Sequence, residues 1–112
     1  MYMNLEQEHR DDILVLRPRG RLDSSSSPEL ERLLTEQLDA GSQRLVLDFS
    51  DLEYISSAGL RVVLLAGKKL RASKGTMVLT SLQDMVRDVF DMSGFLTLFA
   101  VTETLDEGVA KV

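Results

Sequence analysis

The sequence predicts an α/β fold built as one domain, with a mixed, mostly parallel sheet of four to five strands and about four helices. After residue 13, apolar runs of strand length alternate with longer segments whose apolar residues recur at helical spacing. Parallel strands joined by right-handed helical crossovers are the economical topology for that order. The chain has 112 residues, 44% of them hydrophobic, which is enough to bury the core of one domain.

Four apolar runs have the length and the flanking turn residues of strands. They span residues 13–17, 44–49, 76–80 and 97–101. Residues 3–9 predict an additional edge strand, which a hairpin turn at residues 10–12 would join to the first run.

The first helix is predicted by the signals at its two ends. Ser27 can cap it, Pro28 suits the first helical position, and Gly41 can end it. Leucines at helical spacing form its apolar stripe: Leu30, Leu33, Leu34 and Leu38.

Three more helices are predicted in the same way. The second follows the serine pair and places these residues on its apolar side: Leu60, Val63, Leu64, Gly67 and Leu70. The third is expected to begin at Ser81, with Asp84 completing a capping box, and to end before Gly94. Its expected buried residues are Leu82, Met85, Val86, Val89 and Phe90, and the methionines at positions 77, 85 and 92 are interpreted as core filler. Thr104 and Glu107 form a second capping box that opens a short final helix.

Charge and composition exclude several classes of function. Eighteen acidic and thirteen basic residues give a net charge of -5, which argues against nucleic acid as a partner. The basic cluster of Lys68, Lys69, Arg71 and Lys74 lies at the end of the second helix, where cations complement the helix dipole, and it is assigned no site. The absence of cysteine favours the cytoplasm. Residues 62–67 form the longest apolar run and are too few to span a membrane, and the amino end lacks a signal-peptide pattern.

Enzymatic motifs are incomplete. A nucleophile elbow at Ser57 would need a glycine where Ile55 stands, and His9 is the sole histidine available as a base. A phosphoaspartate receiver would need an acidic pair beside Asp48 to hold magnesium, so Asp48 is interpreted as a structural carboxylate. Phosphate loops, GxGxxG motifs and histidine pairs are also missing, so neither a cofactor nor a metal is expected.

The segment YISSAGLRVVLLAGKKL, residues 54–70, is the most informative part of the chain. Its two serines, Ser56 and Ser57, stand where an apolar strand gives way to the second helix. Free backbone N–H groups and the positive end of the helix dipole meet there, so a phosphate on either hydroxyl would be accommodated.

Three segments resemble the STAS domains of bacterial anti-sigma factor antagonists. They are RGRLD at 19–23, LVLDFSDLEYISSAGLRVVL at 45–64, and DVFDMSGFLTLF at 88–99. The resemblance covers nearly the whole chain and implies one STAS domain over residues 1–112.

The resemblance implies partner switching by a protein that is not an enzyme. Its phosphate acceptor would be Ser57, with Ser56 the less favoured candidate. Ser56 occupies the position of the family's aspartate, so a carboxylate that would help a kinase align the hydroxyl is absent. The unmodified protein would bind an anti-sigma factor with serine kinase activity and release a sigma factor. Phosphorylation would break that complex, and a serine phosphatase would reset it.

Other interpretations stay open. Asp23 and Arg61 are expected to contact the partner together with the two serines, but Asp23 also suits a turn or cap and Arg61 a solvated face. Ser56 can equally cap the helix, with Ser57 in its first turn. The leading alternative function is a STAS subunit that is never phosphorylated, a scaffold in a larger assembly such as a lipid-transport ATPase complex. A small-ligand sensor would require a pocket, and self-association into a homodimer is left open.

Overall fold

The computed structural model of the chain describes residues 4–112, so residue 3 of the predicted edge strand lies outside the described part. The strands are β1 Asn4–Arg10, β2 Ile13–Leu22, β3 Arg44–Asp48, β4 Leu52–Ile55, β5 Thr76–Thr80 and β6 Ala100–Thr102. The helices are α1 Ser27–Asp39, α2 Ser57–Ala72, α3 Asp84–Met92 and α4 Leu105–Lys111. A short 3-10 turn occupies Phe95–Thr97.

The strands form one mixed sheet in the order β1-β2-β3-β5-β6, and β4 pairs with β2 outside this path. β1 runs antiparallel to β2 through the predicted hairpin, where Asp11 has a φ of 56°. The other pairs are parallel, because helices connect most of the successive strands. The α/β fold is thereby confirmed, but residues 4–112 contain six strands, and the expected number of four to five is wrong.

The additional strand depends on an unexpected extension of β2. The first strand was expected to end at residue 17, yet β2 continues through most of the RGRLD segment to Leu22. Residues 13–16 pair with β3, the register shifts between Gly20 and Arg21, and the end of β2 then pairs with β4. Gly20 has a φ of 82°, which glycine adopts without steric cost, and this change of direction lets one strand serve two partners.

Three predicted boundaries are wrong. Ser26, not Ser27, precedes α1, and Ser27 is the first helical residue. α3 begins at Asp84 after Gln83, because Ser81 has a left-handed φ of 61° and its hydroxyl bonds to the carbonyl of Glu103. β6 begins at residue 100, because Phe95–Thr97 is wound as a 3-10 turn. The capping box of α4 is confirmed, with the Glu107 N–H 3.2 Å from the Thr104 hydroxyl.

The main core lies on one face of the sheet, where alternate residues of β2 and β3 meet α1, α2 and α3. The opposite face carries Ile13, Val15 and Val46, which α4 covers. Gly108 of α4 lets that helix approach closely, since a Cβ there would lie 3.2 Å from the Thr102 hydroxyl.

The expected burial of two methionines is wrong. Met85 is 61% exposed and Met92 is 87% exposed, whereas Val86 and Phe90 of the same helix are fully buried. Met85 is one residue from Val86 and Met92 is two residues from Phe90, which turns their side chains by about 100° and about 200° around the helix, so the narrow apolar stripe of α3 excludes both methionines.

Candidate functional site

The ends of β2 and β4 bring Asp23 next to the serine pair. Leu22 and Ile55 are opposite each other in the parallel pair, and the Ser56 N–H donates to the Leu22 carbonyl at 2.9 Å. Since the carboxyl ends of parallel strands lie at the same edge of a sheet, the residues that follow them share one surface.

Ser56 is the N-cap of α2. Its backbone is extended, with φ -93° and ψ 175°, and its hydroxyl accepts a hydrogen bond from the Gly59 N–H at 3.3 Å. Its carbonyl accepts the Leu60 N–H at 2.9 Å. The cap role considered for Ser56 is therefore present, and this half-buried hydroxyl is engaged in holding the first turn.

Ser57 is the first residue of α2, and its side chain is exposed. Within residues 4–112 its hydroxyl has no hydrogen-bond partner, and the N–H groups of Ser57 and Ala58 have no acceptor. The first turn of α2 carries no acidic residue. The hydroxyl is thus free at the N-terminal end of a 16-residue helix. The positive partial charge of the helix dipole at this end is not compensated by an acidic side chain of the first turn.

Asp23 organises the turn between β2 and α1. One of its carboxylate oxygens accepts the Ser25 hydroxyl at 2.7 Å, the Ser25 N–H at 3.0 Å and the Ser26 N–H at 3.2 Å. These hydrogen bonds, first the one from the Ser25 hydroxyl, hold the pKa of Asp23 below its ordinary value. Its side chain is 33% exposed, and its second oxygen lies 3.9 Å from the Nε of the exposed Arg21.

Arg61 lies one helical turn after Ser57, and its side chain is exposed. It forms no ion pair with any residue that the structure describes. Its guanidinium is therefore free to contact an anion at Ser57 or a carboxylate of another protein.

An arginine and a tyrosine that the sequence analysis did not single out border the same surface. The Arg21 guanidinium lies 4.1 Å from the centroid of the Tyr54 ring, and the two residues are opposite each other across β2 and β4. This cation–π contact stacks the guanidinium of Arg21 on the aromatic ring of Tyr54, close to Asp23. Arg21 directly precedes Leu22, and Tyr54 directly precedes Ile55; both apolar residues are buried at the ends of their strands. This position beside a buried strand end is the one signal in the sequence that could have singled out the pair.

Asp48 confirms the interpretation of a structural carboxylate. It is buried, and its two oxygens accept the Arg17 Nε at 2.7 Å and the Ser50 N–H at 3.0 Å. Hydrogen bonds from Arg17 to Asp48 and Glu6 raise the pKa of the arginine above its ordinary value. In the described residues no group of three or more histidine, cysteine, aspartate or glutamate side chains could hold a metal ion.

We call the surface formed by Asp23, Ser56, Ser57 and Arg61 the serine face. Its exposed groups are a hydroxyl, a carboxylate oxygen and a guanidinium, with the free N–H groups of α2 between them. No general base among the described residues forms a hydrogen bond with the Ser57 hydroxyl. No helix in the described part of the chain has the length and apolar character of a membrane span.

Comparisons with known proteins identify relatives along nearly the whole chain. A family model described as the STAS domain matches residues 4–108. A protein of Bordetella bronchiseptica with the provisional name anti-sigma factor antagonist BtrV is 44% identical over 108 residues, which cover 96% of this chain and 93% of that protein.

Solved structures share the fold. The crystal structure of an anti-sigma factor antagonist from Mycobacterium paratuberculosis superposes with a TM-score of 0.90 at 24% identity, covering 98% of this chain and 93% of the other. The Bacillus cell fate determinant SpoIIAA in its phosphorylated form gives a TM-score of 0.78 at 22% identity, covering 96% of this chain and 98% of the other. At these identities the structures establish the fold alone.

Proposed function

The chain belongs to the STAS domain family, and we propose that it acts as an anti-sigma factor antagonist that is switched by phosphorylation of Ser57. The proposal takes residues 1–112 as one STAS domain. The name of the 44% identical relative supports it, because the alignment covers nearly the full length of both chains.

One structural observation carries the choice of Ser57 as the acceptor. Its hydroxyl is exposed and has no partner among the described residues, whereas the hydroxyl of Ser56 caps α2. A kinase can reach the first hydroxyl without breaking an internal hydrogen bond. The Ser56 hydroxyl is half-buried and accepts the Gly59 N–H, so a kinase that acts on it would have to disturb the first turn of α2.

The folded protein can accept the phosphate without rearrangement. A phosphoserine adds about −1.5 to −2 charges and three acceptor oxygens. The free N–H groups of Ser57 and Ala58 and the guanidinium of Arg61 are the nearby groups that would receive them. A phosphate at the start of a helix is stabilising, so the switch would act on the interface with a partner and not on the fold.

The serine face is the proposed contact with an anti-sigma factor that has serine kinase activity. In such a complex the phosphate would have to be desolvated against a surface that matches a neutral hydroxyl. A loss of roughly 3 kcal/mol weakens binding by about a hundredfold, which is enough to release the partner. A serine phosphatase would restore binding, since the same exposure that admits the kinase admits the phosphatase.

In this proposal the protein carries no catalytic group, needs no cofactor and works in the cytoplasm beside its partners. The kinase partner supplies ATP and performs the phosphoryl transfer. The residues of this chain present the hydroxyl and form the contact surface.

A STAS scaffold subunit that is never phosphorylated is the second candidate. The observation that favours it is the identity of residue 56. In this chain Ser56 occupies the position at which the family usually has an aspartate. One experiment separates the two candidates.

The test is phosphorylation in vitro by an anti-sigma factor kinase from the same organism, with ATP, followed by localisation of the phosphate by mass spectrometry. We expect one phosphate, on Ser57, in the wild type and in Ser56→Ala, and none in Ser57→Ala. The Ser56→Ala variant is the matched control, because it removes a neighbouring hydroxyl and leaves the acceptor. Phosphate on Ser57→Ala would make the assignment wrong, and a wild type that binds the kinase but never accepts phosphate would favour the scaffold.

A second measurement tests the switch itself. Stoichiometrically phosphorylated protein should bind the same kinase, held in its ADP form, about a hundredfold more weakly than unmodified protein in a calorimetric titration. Equal affinities for both forms would contradict partner switching even if Ser57 is the acceptor.

A further inference from the structure

A groove lies at the opposite end of α2 from the serine face. It has a volume of about 410 Å³ and is bordered by the second half of α2, the beginning of β5, residues 98–100 and the end of α4. Gly67, in the middle of this border, follows Ser57 by ten residues, so the groove is about 15 Å away along the helix axis.

The groove exists because β6 is short. Pairing between β5 and β6 begins at Val78 and Ala100, so the first two residues of β5 have no strand beside them on this edge within the described chain. Gly67 allows α2 to close over the gap, since a Cβ there would lie 2.8 Å from Phe99 Cε1 and 3.1 Å from Met77 Cε.

The floor of the groove is apolar, and it is formed by Leu64, Leu70, Met77, Leu98 and Phe99. Leu98 is 49% exposed, so it adds an accessible apolar side chain to this floor. An apolar depression that stays open to solvent is typical of a binding site for an apolar group.

Three cations stand at the rim, and they are Lys68, Arg71 and Lys111. None of them forms an ion pair with a described residue, and no acidic residue lines the groove. The neighbouring Lys69, by contrast, forms an ion pair with Asp39 at 2.7 Å. The basic cluster that was predicted only to complement the helix dipole is thus divided, because Lys68 and Arg71 line the groove, Lys69 pairs with Asp39, and Lys74 lies outside the groove lining.

We propose that this basic groove, defined by its apolar floor and these three cations, binds a monomeric medium-chain fatty acid carboxylate. The alkyl chain would cover the floor, and the carboxylate would lie at the rim. A neutral apolar ligand would leave the cations unmatched, and a small hydrophilic anion would leave the floor exposed. The volume falls in the range of small-ligand sites, which is about 300–1,000 Å³. This inference is independent of phosphorylation at Ser57, and it supplies the pocket that a small-ligand sensor requires.

The first test is a chain-length series. Hexanoate, octanoate and decanoate, each below its micellar concentration, are titrated into the full chain, and backbone amide shifts are followed by NMR. We expect saturable shifts at Gly67, Gly75, Met77 and Ala100, with affinity rising about fourfold for each added methylene until the floor is covered. Decylamine, with the same tail and the opposite charge, should bind at least tenfold more weakly than decanoate.

Matched variants test the rim. Replacing Lys68, Arg71 and Lys111 together by glutamine should weaken decanoate binding about tenfold, since each exposed ion pair contributes roughly two- to fivefold. Lys69→Gln, one position along the same helix, should leave the affinity unchanged because Lys69 faces Asp39. Thermal unfolding of both variants establishes that each is folded.

Several results would overturn the proposal. These are equal binding of decanoate and decylamine, an affinity that does not depend on chain length, and an equal loss in Lys69→Gln. Shifts at the groove that arise only with vesicles of phosphatidylglycerol, and not with monomeric carboxylates, would assign the groove to a membrane surface and also refute it.

Discussion

Replacing Gly59 by alanine tests how tightly the serine face is held against the sheet. A Cβ at this position would lie 2.8 Å from Ile55 Cγ1, 2.8 Å from Leu22 Cγ and 2.9 Å from the Leu22 carbonyl oxygen. The carbonyl cannot give way, because it accepts the Ser56 N–H at 2.9 Å and belongs to a paired strand. The start of α2 must therefore move outward.

Two opposing terms set the size of the effect. Overpacking of this kind costs about 1–3 kcal/mol, and alanine recovers up to about 1 kcal/mol of helix propensity over glycine. Because one obstacle is a backbone carbonyl, we take the upper part of the overpacking range, about 2–3 kcal/mol, so the expected net loss in the free energy of unfolding is about 1–2 kcal/mol, which lowers the melting temperature by roughly 4–8 °C in a domain of this size.

Gly67→Ala is the matched control, since it makes the same change in the same helix. Its new Cβ would lie nearest to Phe99 Cε1 and Met77 Cε, which belong to side chains that border an open groove. We expect a change within about 1 kcal/mol of zero, because small side-chain shifts offset the gain in propensity. Urea unfolding of both variants measures the difference. If Gly59→Ala is as stable as Gly67→Ala, contact with the strand backbone does not hold the serine face in place.

Three further predictions concern the residues around the site. Ser56→Ala should lower the free energy of unfolding by about 1 kcal/mol, and Ser56→Asp, which keeps a capping oxygen and adds charge at the helix start, should not; urea titrations compare them. Asp23 has a lowered pKa when folded, so its contribution to stability is present above the pKa of the unfolded chain and is lost as pH falls through the folded value. The stability difference between wild type and Asp23→Asn should therefore shrink on acidification from pH 7 to below pH 3 in denaturant titrations. Arg17→Ala leaves the buried Asp48 carboxylate without its 2.7 Å partner, and because Arg17 is partly exposed the loss should be about 2–3 kcal/mol, below that of a fully buried pair.

The sequence predicted those parts of the fold whose signals are local. Pro28 and the Thr104–Glu107 box mark helix starts through their own backbone and side-chain chemistry, and both helices are present, with α1 beginning one residue earlier than its predicted cap implied. The start of α3 was misplaced because Ser81 bonds across the chain to Glu103, a contact that local spacing does not reveal. β4 was not predicted, because it is only four residues long and pairs with the extension of β2, which depends on the register shift between Gly20 and Arg21.

The candidate site likewise has parts that local sequence signals predict and parts that depend on long-range contacts. The position of Ser57 at the start of a helix followed from the apolar spacing of α2 and the serine pair before it. The contact between Arg21 and Tyr54 depends on the register of β2 against β4, which no local pattern fixes. The basic groove depends on where β6 begins, and that strand was predicted three residues too early, over the positions that form the groove's border.

The serine at position 56 also has a physical consequence for a phosphate at position 57. An aspartate cap would set a carboxylate beside the phosphate, and like charges at that separation repel. A serine cap satisfies the same Gly59 N–H with a neutral oxygen, so the positive end of α2 remains available to the phosphate alone. Compared with an aspartate at position 56, the serine therefore lacks a carboxylate that could guide a kinase. It also lacks the electrostatic repulsion that such a carboxylate would add to the phosphorylated form. These two effects act on different quantities, the rate of phosphate transfer and the stability of the product. Under the proposed function, we therefore expect Ser56 to slow phosphate transfer to Ser57 while the fold tolerates the phosphorylated state.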